Sequence, residues 1–86
     1  MLPPEDAAAL LAQRCNRLEM EISQGHSLLQ LAAQHGVARL HLIEGEYLLA
    51  MRESELDWTR QFAEEIRSGT LEGIAEWVNF SDHSSE

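Results

Sequence analysis

The chain has 86 residues, of which fifteen are acidic and six basic, so its formal net charge is −9. This length fits a single domain with a small core, and part of the apolar surface is expected to pack on other chains. The acidic balance repels phosphate backbones and favours basic protein partners. Every basic residue is an arginine, so no lysine is present to contact phosphate.

The single cysteine, Cys15, cannot form an internal disulfide, which fits a reducing compartment. The first fifteen residues have no basic n-region and do not read as a secretory signal. No apolar run approaches the roughly eighteen residues of a membrane span. The sequence therefore predicts a soluble, cytoplasmic protein.

The chain is predicted to be all-α, because its apolar residues recur with helical spacing and no stretch alternates in the manner of a strand. Helix one is expected to begin after Pro3-Pro4 and to end at the segment Ser23-Gln24-Gly25. Its apolar stripe consists of Leu11, Cys15, Leu18 and Ile22.

A short second helix is predicted to follow, so that these elements form a short helical hairpin. Ser27 would cap it with Gln30 three residues later, as in a capping box. Its inward residues would be Leu28, Leu31 and Ala32, and Gly36 would end it in a left-handed conformation.

Helix three is predicted to run from Ala38 to Ser68, with Gly69 as its stop. Gly45 is the candidate position for a bend or break, and the sequence leaves open whether the helix breaks there. Thr70 would cap a short C-terminal helix carrying Leu71, Ile74 and Val78. Residues 1–80 are thus expected to form one helical domain, paired in a dimer, and residues 81–86 a flexible acidic tail.

Helix three carries two apolar lines and a narrow polar strip. The strip consists of Glu46, Glu53, Asp57, Arg60 and Glu64. The broad line consists of Leu40, Ile43, Tyr47, Ala50, Met51, Trp58 and Phe62, and the heptad line of Leu42, Leu49, Leu56 and Ala63. The pattern leaves open which line is core and which binds another chain.

The heptad line is the sequence-based candidate for a partner or dimer interface, with two arginines at its rim. This interface set is Leu42, Leu49, Arg52, Leu56, Arg60 and Ala63. A charged residue at position 49 is then expected to impair association more than folding. Trp58, Tyr47 and Trp77 are the aromatic residues with anchor potential.

Residues 28–49 also resemble a DNA-binding helix-turn-helix over about twenty residues, through Ala32, Gly36, Val37 and Leu42. Gly45 departs from the pattern where a second apolar lock is usual. Only Arg39 and His41 stand where a recognition helix presents donors to bases. A hairpin used for packing is the competing interpretation.

Catalysis, metal binding and cofactors are not expected. The four histidines form no i, i+4 ligand pair, and no paired cysteine or histidine motif occurs. Cys15 lies on an apolar stripe and is interpreted as a small buried hydrophobe. The carboxylates of helix three are interpreted as a solvated face.

The segment "HSLLQLAAQHGVARLHLIEGEYLLAMRESELDW" resembles, in its short hairpin, long third helix, acidity and lack of lysine, the small helical anti-activators of proteobacteria of the QslA type, which restrain LuxR-family quorum-sensing regulators. The resemblance implies a homodimer that sequesters a transcription activator. Two alternatives stay open: a helix-turn-helix DNA-binding regulator and a small dimeric secretion or assembly chaperone.

Overall fold

A computed structural model describes residues 2–77, which contain helices and turns and no β-strand. Helix α1 spans Pro4–Gln34, a single 3₁₀ turn spans Arg39–His41, and helix α2 spans Ile43–Ser68. Residues 74–77 form a further helical turn. The predicted all-α class is confirmed. In place of the predicted short hairpin followed by one long helix, the described chain has two long helices and a short C-terminal helical turn.

Helix α1 begins at Pro4, as predicted, with Glu5 and Asp6 in its first turn, where carboxylates interact favourably with the positive end of the helix dipole. It then continues through Gly25 to Gln34, so the predicted break into two helices is wrong. A Cβ atom on Gly25 would lie 2.5 Å from Leu49 Cδ2 of α2. Tertiary packing therefore explains a glycine that local propensity interprets as a stop.

A tight turn ends α1 and reverses the chain. Gly36 has φ +84°, as predicted, and the N–H groups of Gly36 and Val37 donate to the carbonyls of Ala33 and Ala32, in the Schellman pattern. Helix α2 begins at Ile43 and not at the predicted Ala38, because residues 37–42 are needed to carry the chain across to the neighbouring helix.

Helices α1 and α2 pack side by side in opposite directions along one seam. Residues that face each other alternate three and four positions apart on both helices, as in an antiparallel coiled coil. On α1 the inward residues are Leu11, Cys15, Leu18, Ile22, Gly25, Leu29 and Ala32; on α2 they are Leu42, Gly45, Leu49, Leu56, Thr59, Ala63 and Ile66.

Two glycines set the register of the seam near the turn. Leu49 lies against Gly25, and Leu29 lies against Gly45, where a Cβ atom would be 3.0 Å from Leu29 Cδ2. Each helix thus places a leucine against a glycine of the other helix. Within each helix the leucine and the glycine lie four residues apart. Gly45 lies inside α2, which is continuous from Ile43 to Ser68, so the helix does not break at this glycine.

The seam is the only core of the described chain, and it is thin. Cys15, Leu18 and Leu56 form the buried cluster, with Ile22 packed against it. Leu18 is the most completely buried apolar residue, with 2% exposure. Two helices in one layer bury one stripe each, so their other apolar residues stay in water.

Helix α2 ends where predicted, at Gly69 with φ +76°, and the N–H of Thr70 donates to the carbonyl of Glu65. The last helical turn begins at residue 74, so Thr70 is not its cap; its hydroxyl lies 3.0 Å from that of Ser68. Trp77 Nε1 donates to the carbonyl oxygen of Leu2. Val78 and the predicted tail at 81–86 lie outside the described residues.

Candidate protein-binding surface

The structure decides which line of the long helix is core. Leu49, Leu56 and Ala63 are each 7% exposed, and Leu42 is half-buried. All four face α1 of the same chain. The heptad line proposed as a partner interface is therefore covered within the hairpin, and this placement corrects the sequence-based choice.

The two arginines of that predicted interface form ion pairs across the seam. Arg52 Nη1 lies 2.8 Å from Glu21 Oε2, and Arg60 pairs with Glu19. The side chains are about half exposed, so each pair contributes at most about 1 kcal/mol. Their geometric effect is to fix how α1 and α2 lie side by side.

The apolar side chains left in water lie mainly along one long side of the hairpin. Leu28 is 67% exposed and Trp58 63% exposed. The rings of Trp58 and Phe62 contact each other, with centroids 5.2 Å apart. We name this side the apolar flank: Leu10, Leu28 and Leu31 of α1, and Leu48, Met51, Trp58 and Phe62 of α2.

The opposite long side of the hairpin is polar. It carries the ion pair of Arg60 with Glu19, and His26 Nε2 lies 2.6 Å from Glu53 Oε1. This side contains most of the polar strip recognised in the sequence. We name it the polar flank: Asn16, Glu19, Ser23, His26 and Gln30 of α1, and Glu46, Glu53, Asp57, Arg60 and Glu64 of α2.

Sequence reasoning missed the α1 half of the apolar flank. Leu28 and Leu31 were expected to face inward, and both are at least half exposed, because Leu29 takes the inward place. The signal was present in the spacing: continuing the stripe of helix one through Gly25 by steps of three and four reaches Leu29 and Ala32.

A shallow groove of about 240 Å³ opens on the apolar flank beside the two seam glycines. Leu28 and Leu48 form its rims, and Glu21 and Arg52 close one end. Because glycine has no side chain, the helix surface is hollow here. The groove can receive a leucine- or methionine-sized side chain from another helix.

Charged residues cross the middle of the apolar flank. Arg14 Nε donates to Glu55 Oε1 at 3.0 Å, and Glu21 pairs with Arg52. The hydrogen bonds that Arg14 donates to Glu55, together with the negative charge of that carboxylate, raise the pKa of Arg14 above the usual arginine value. Arg17 makes no ion pair with any residue in the range 2–77.

A second exposed apolar group surrounds the turn between the helices. Leu40, in the 3₁₀ turn, is 76% exposed, the largest value among the exposed hydrophobic residues. Ile43 and Tyr47 follow one helical turn apart on the start of α2 and are also exposed. We name this group, with Val37, the tip cluster.

The two DNA-contact candidates lie in the 3₁₀ turn and not on a recognition helix. Arg39 Nε and Nη2 donate to the two carboxylate oxygens of Glu46, each at 3.2 Å, and these contacts raise the pKa of Arg39. His41 is exposed. The helices on either side of the turn lie antiparallel, whereas a helix-turn-helix crosses its helices steeply.

A groove of about 480 Å³ lies at the opposite end of the hairpin, between the first turns of α1 and the end of α2. Its walls include Pro4, Ala8, Ile66 and Ile74, and its charged members are Glu5 and Arg67. Within residues 2–77 no three His, Cys, Asp or Glu side chains are grouped to hold a metal ion. The Cys15 thiol is buried in the seam.

No helix in the described range is both long and apolar enough to cross a membrane. Comparison of the chain with protein-family models, curated proteins and solved structures finds no match. The functional argument therefore depends on the exposed surfaces of the hairpin.

Proposed function

We propose that this protein is a non-catalytic, protein-binding regulator that acts in the cytoplasm as a homodimer. One observation carries the proposal: among residues 2–77, twelve large hydrophobic residues are between 39% and 76% exposed, while only six hydrophobic residues are buried. Large contiguous apolar surfaces on a water-exposed chain are typical of protein-interaction sites.

The tip cluster is the site proposed for the target. Leu40 lies in a turn where the seam does not require an apolar residue, and Tyr47 offers an aromatic anchor of the kind that dominates interface energies. The chain as a whole carries a formal net charge of −9. A fitting target is therefore an amphipathic helix with apolar anchors and basic neighbours.

The regulatory mode proposed is that of an anti-activator. The resemblance in size, acidity and lack of lysine to the QslA-type proteins makes a transcription activator the first target class to test. Binding to the activator would cover a surface that it needs for its own dimerisation or DNA contact. A secretion or assembly chaperone would use the same surface, and only the identity of the target distinguishes the two.

Two observations favour protein binding over DNA binding. Arg39, the best candidate for base contact, is held by the carboxylate of Glu46. The arginines of the described chain are distributed over both flanks and are mostly paired with glutamates. Such pairing leaves few charges for phosphate, which is the main source of DNA affinity.

The experiment compares capture of proteins from a lysate of the source organism by three baits: wild type, Leu40→Glu and Gln61→Glu. Leu40→Glu changes the tip cluster, whereas Gln61→Glu adds the same charge far from it on α2. We expect a transcription activator to bind the first and third baits and to lose at least tenfold with the second.

The captured activator is then placed on its duplex DNA, and wild-type protein is added. Release of the activator from DNA is the expected result. Equal capture by all three baits, or direct salt-sensitive binding of the protein to duplex DNA, contradicts the proposal. Capture of a secreted or assembled protein with no effect on DNA favours the chaperone.

A further inference from the structure

We infer that the apolar flank is occupied by a second copy of this chain, with the two turns at the same end of a four-helix bundle. The inference deepens the proposed function. It rests on that proposal at one point only: the target is assigned to the tip cluster, so the apolar flank is left for the second copy. The dimer itself is measured without any target.

The size of the flank matches a self-association surface. It carries seven large apolar side chains, six of them about half exposed or more. At roughly 100 Å² each they offer on the order of 700 Å² per chain. Interfaces of standard size take roughly 600–1,000 Å² from each partner, so a flank-to-flank dimer falls within this range without contributions from the tip.

The shape of the hairpin points the same way. The described chain has one thin seam and no large side chain that is fully buried. Two hairpins placed flank to flank form a four-helix arrangement, in which each helix contacts two neighbours around a central core. Side chains such as Met51 and Trp58 then move from water into that core.

The polar flank is unsuited to the same role. It carries Glu53, Asp57 and Glu64 on α2, and four of its side chains are engaged in the contacts of Arg60 with Glu19 and of His26 with Glu53. Burial of these groups against a second copy would remove charges from water at a high cost. The flank that associates is therefore the apolar one.

Charge decides the orientation of the two copies. With the turns at the same end, α1 of one copy lies on α2 of the other. Residues at the same height along the two hairpins then face each other. In the register fixed by Gly25 with Leu49, Arg17 then lies beside Glu55 and Trp58 of the second copy. Arg17, which makes no ion pair within residues 2–77, gains a carboxylate and an aromatic face.

The opposite orientation is unfavourable. With the turns at opposite ends, α1 lies on α1 and α2 on α2. Arg17 then no longer lies beside Glu55 and Trp58 of the second copy, and the contacts that it gains in the same-end orientation are lost. The same-end orientation also brings Leu28 against Leu48 of the second copy, at the groove beside the glycines.

The same-end orientation has a consequence for the target. Both tip clusters lie at one end of the bundle, each with an exposed Leu40 and Tyr47. Two adjacent sites bind a dimeric or two-helix target more tightly than a single site, because the second contact becomes intramolecular.

The first experiment measures mass by light scattering and analytical ultracentrifugation across concentration. Wild type is expected at twice the 9.7 kDa chain mass. Met51→Glu is expected to weaken association at least tenfold, and Ala50→Glu, the adjacent exposed residue on the polar side, to stay within about twofold. A wild-type monomer at every concentration, or equal effects of both variants, overturns the inference.

Circular dichroism on the same samples checks that helicity at high concentration is retained. If Met51→Glu loses its helices, Arg17→Glu gives an independent test, because Arg17 is exposed and makes no ion pair with any residue in the range 2–77. It is expected to weaken the dimer about tenfold by facing Glu55 of the second copy. Gln13→Glu, on the outer side of α1, is its control and is expected to have no effect.

The second experiment measures orientation by the distance between spin labels at Ala38→Cys, in a Cys15→Ala background checked for helicity. With the turns at the same end the labels are expected within about 30 Å. Opposite ends place them roughly 40 Å or more apart, the length of a 26-residue helix, and that result overturns the proposed orientation.

These experiments separate the two proposals. A monomer that still captures its target through Leu40 refutes the dimer, including the homodimeric state named in the proposed function, and leaves the target-binding role intact. A dimer with the predicted distance that captures no target refutes only the proposed function.

Discussion

The apolar flank and the polar flank border the same seam but differ in composition. Each is bridged by two charged contacts: Arg14 with Glu55 and Glu21 with Arg52 on the apolar side, and Glu19 with Arg60 and His26 with Glu53 on the polar side. The two flanks therefore contribute the same number of such contacts between α1 and α2. Seven large apolar residues lie on the apolar flank alone. The packing of α1 on α2 does not use them, so they indicate that a second layer of helices covers this flank.

The largest expected effect comes from the seam, which both flanks share. Leu49→Asp is expected to unfold the chain, because it places a carboxylate in a site that is 7% exposed and packed on Gly25. This reverses the sequence-based expectation for position 49. Leu49→Ala should cost about 2–5 kcal/mol in the free energy of unfolding.

Urea titrations at fixed protein concentration measure these changes. Leu48→Ala, the neighbouring residue on the apolar flank, is the control. In the monomer it is expected to cost less than about 1 kcal/mol, since Leu48 is half exposed. Similar losses at positions 48 and 49 would show that seam and flank are not distinct regions.

A smaller effect is expected at the seam glycines. Gly25→Ala gains up to about 1 kcal/mol of helix propensity, but its Cβ would lie 2.5 Å from Leu49, and such overpacking typically costs about 1–3 kcal/mol. We expect a net loss. Gly45→Ala meets Leu29 at 3.0 Å and is expected to be closer to neutral.

Thermal unfolding followed by circular dichroism ranks the two variants, with Gln24→Ala as an exposed control on α1. A stabilised Gly25→Ala protein would contradict the close approach of the helices at this point and the register derived from it.

Concentration-dependent fluorescence tests the apolar flank itself. Trp58 is 63% exposed in the single chain and is expected to move into an apolar core on dimerisation. In a Trp77→Phe background, its emission should shift to shorter wavelength as the chain is concentrated. When Met51→Glu is introduced into the Trp77→Phe protein, the shift should be abolished. An unchanged spectrum in the Trp77→Phe protein without Met51→Glu would contradict burial of Trp58.

The smallest effects are expected from the bridging arginines. Arg14→Ala and Arg60→Ala remove ion pairs whose side chains are about half exposed, so each should cost at most about 1 kcal/mol, and less in high salt. Denaturation at low and high salt measures both. In the monomer the two flanks should respond alike, and a large loss at only one would reveal an asymmetry in the seam.

Much of the fold was predictable from residues with a local role. Pro4 starts a helix because its fixed φ and missing N–H suit the first turn. Gly36 and Gly69 end helices because they adopt positive φ without steric cost. The polar strip of α2 was also recognised, since charged residues at helical spacing remain in water whatever the neighbouring element is.

The candidate surface was not predictable in the same way. In the sequence, either apolar line of α2 is compatible with a core. Only the position of α1 shows that Leu49, Leu56 and Ala63 are covered within the chain. Leu28 and Leu31 were misplaced for a related reason, because their direction depends on whether the helix continues through Gly25.

The sequence by itself determined that this protein is all-helical, acidic and richer in apolar helix surface than one small domain can bury. Those properties depend on local spacing and composition. Only the tertiary structure decided that Gly25 and Gly45 are packing positions, that the heptad line faces α1 in the seam, and that the exposed apolar residues gather on one flank and around the turn. The physical reason is that a glycine or a leucine acquires its role from the residue opposite it, and that residue lies 16 or 24 positions away in the chain.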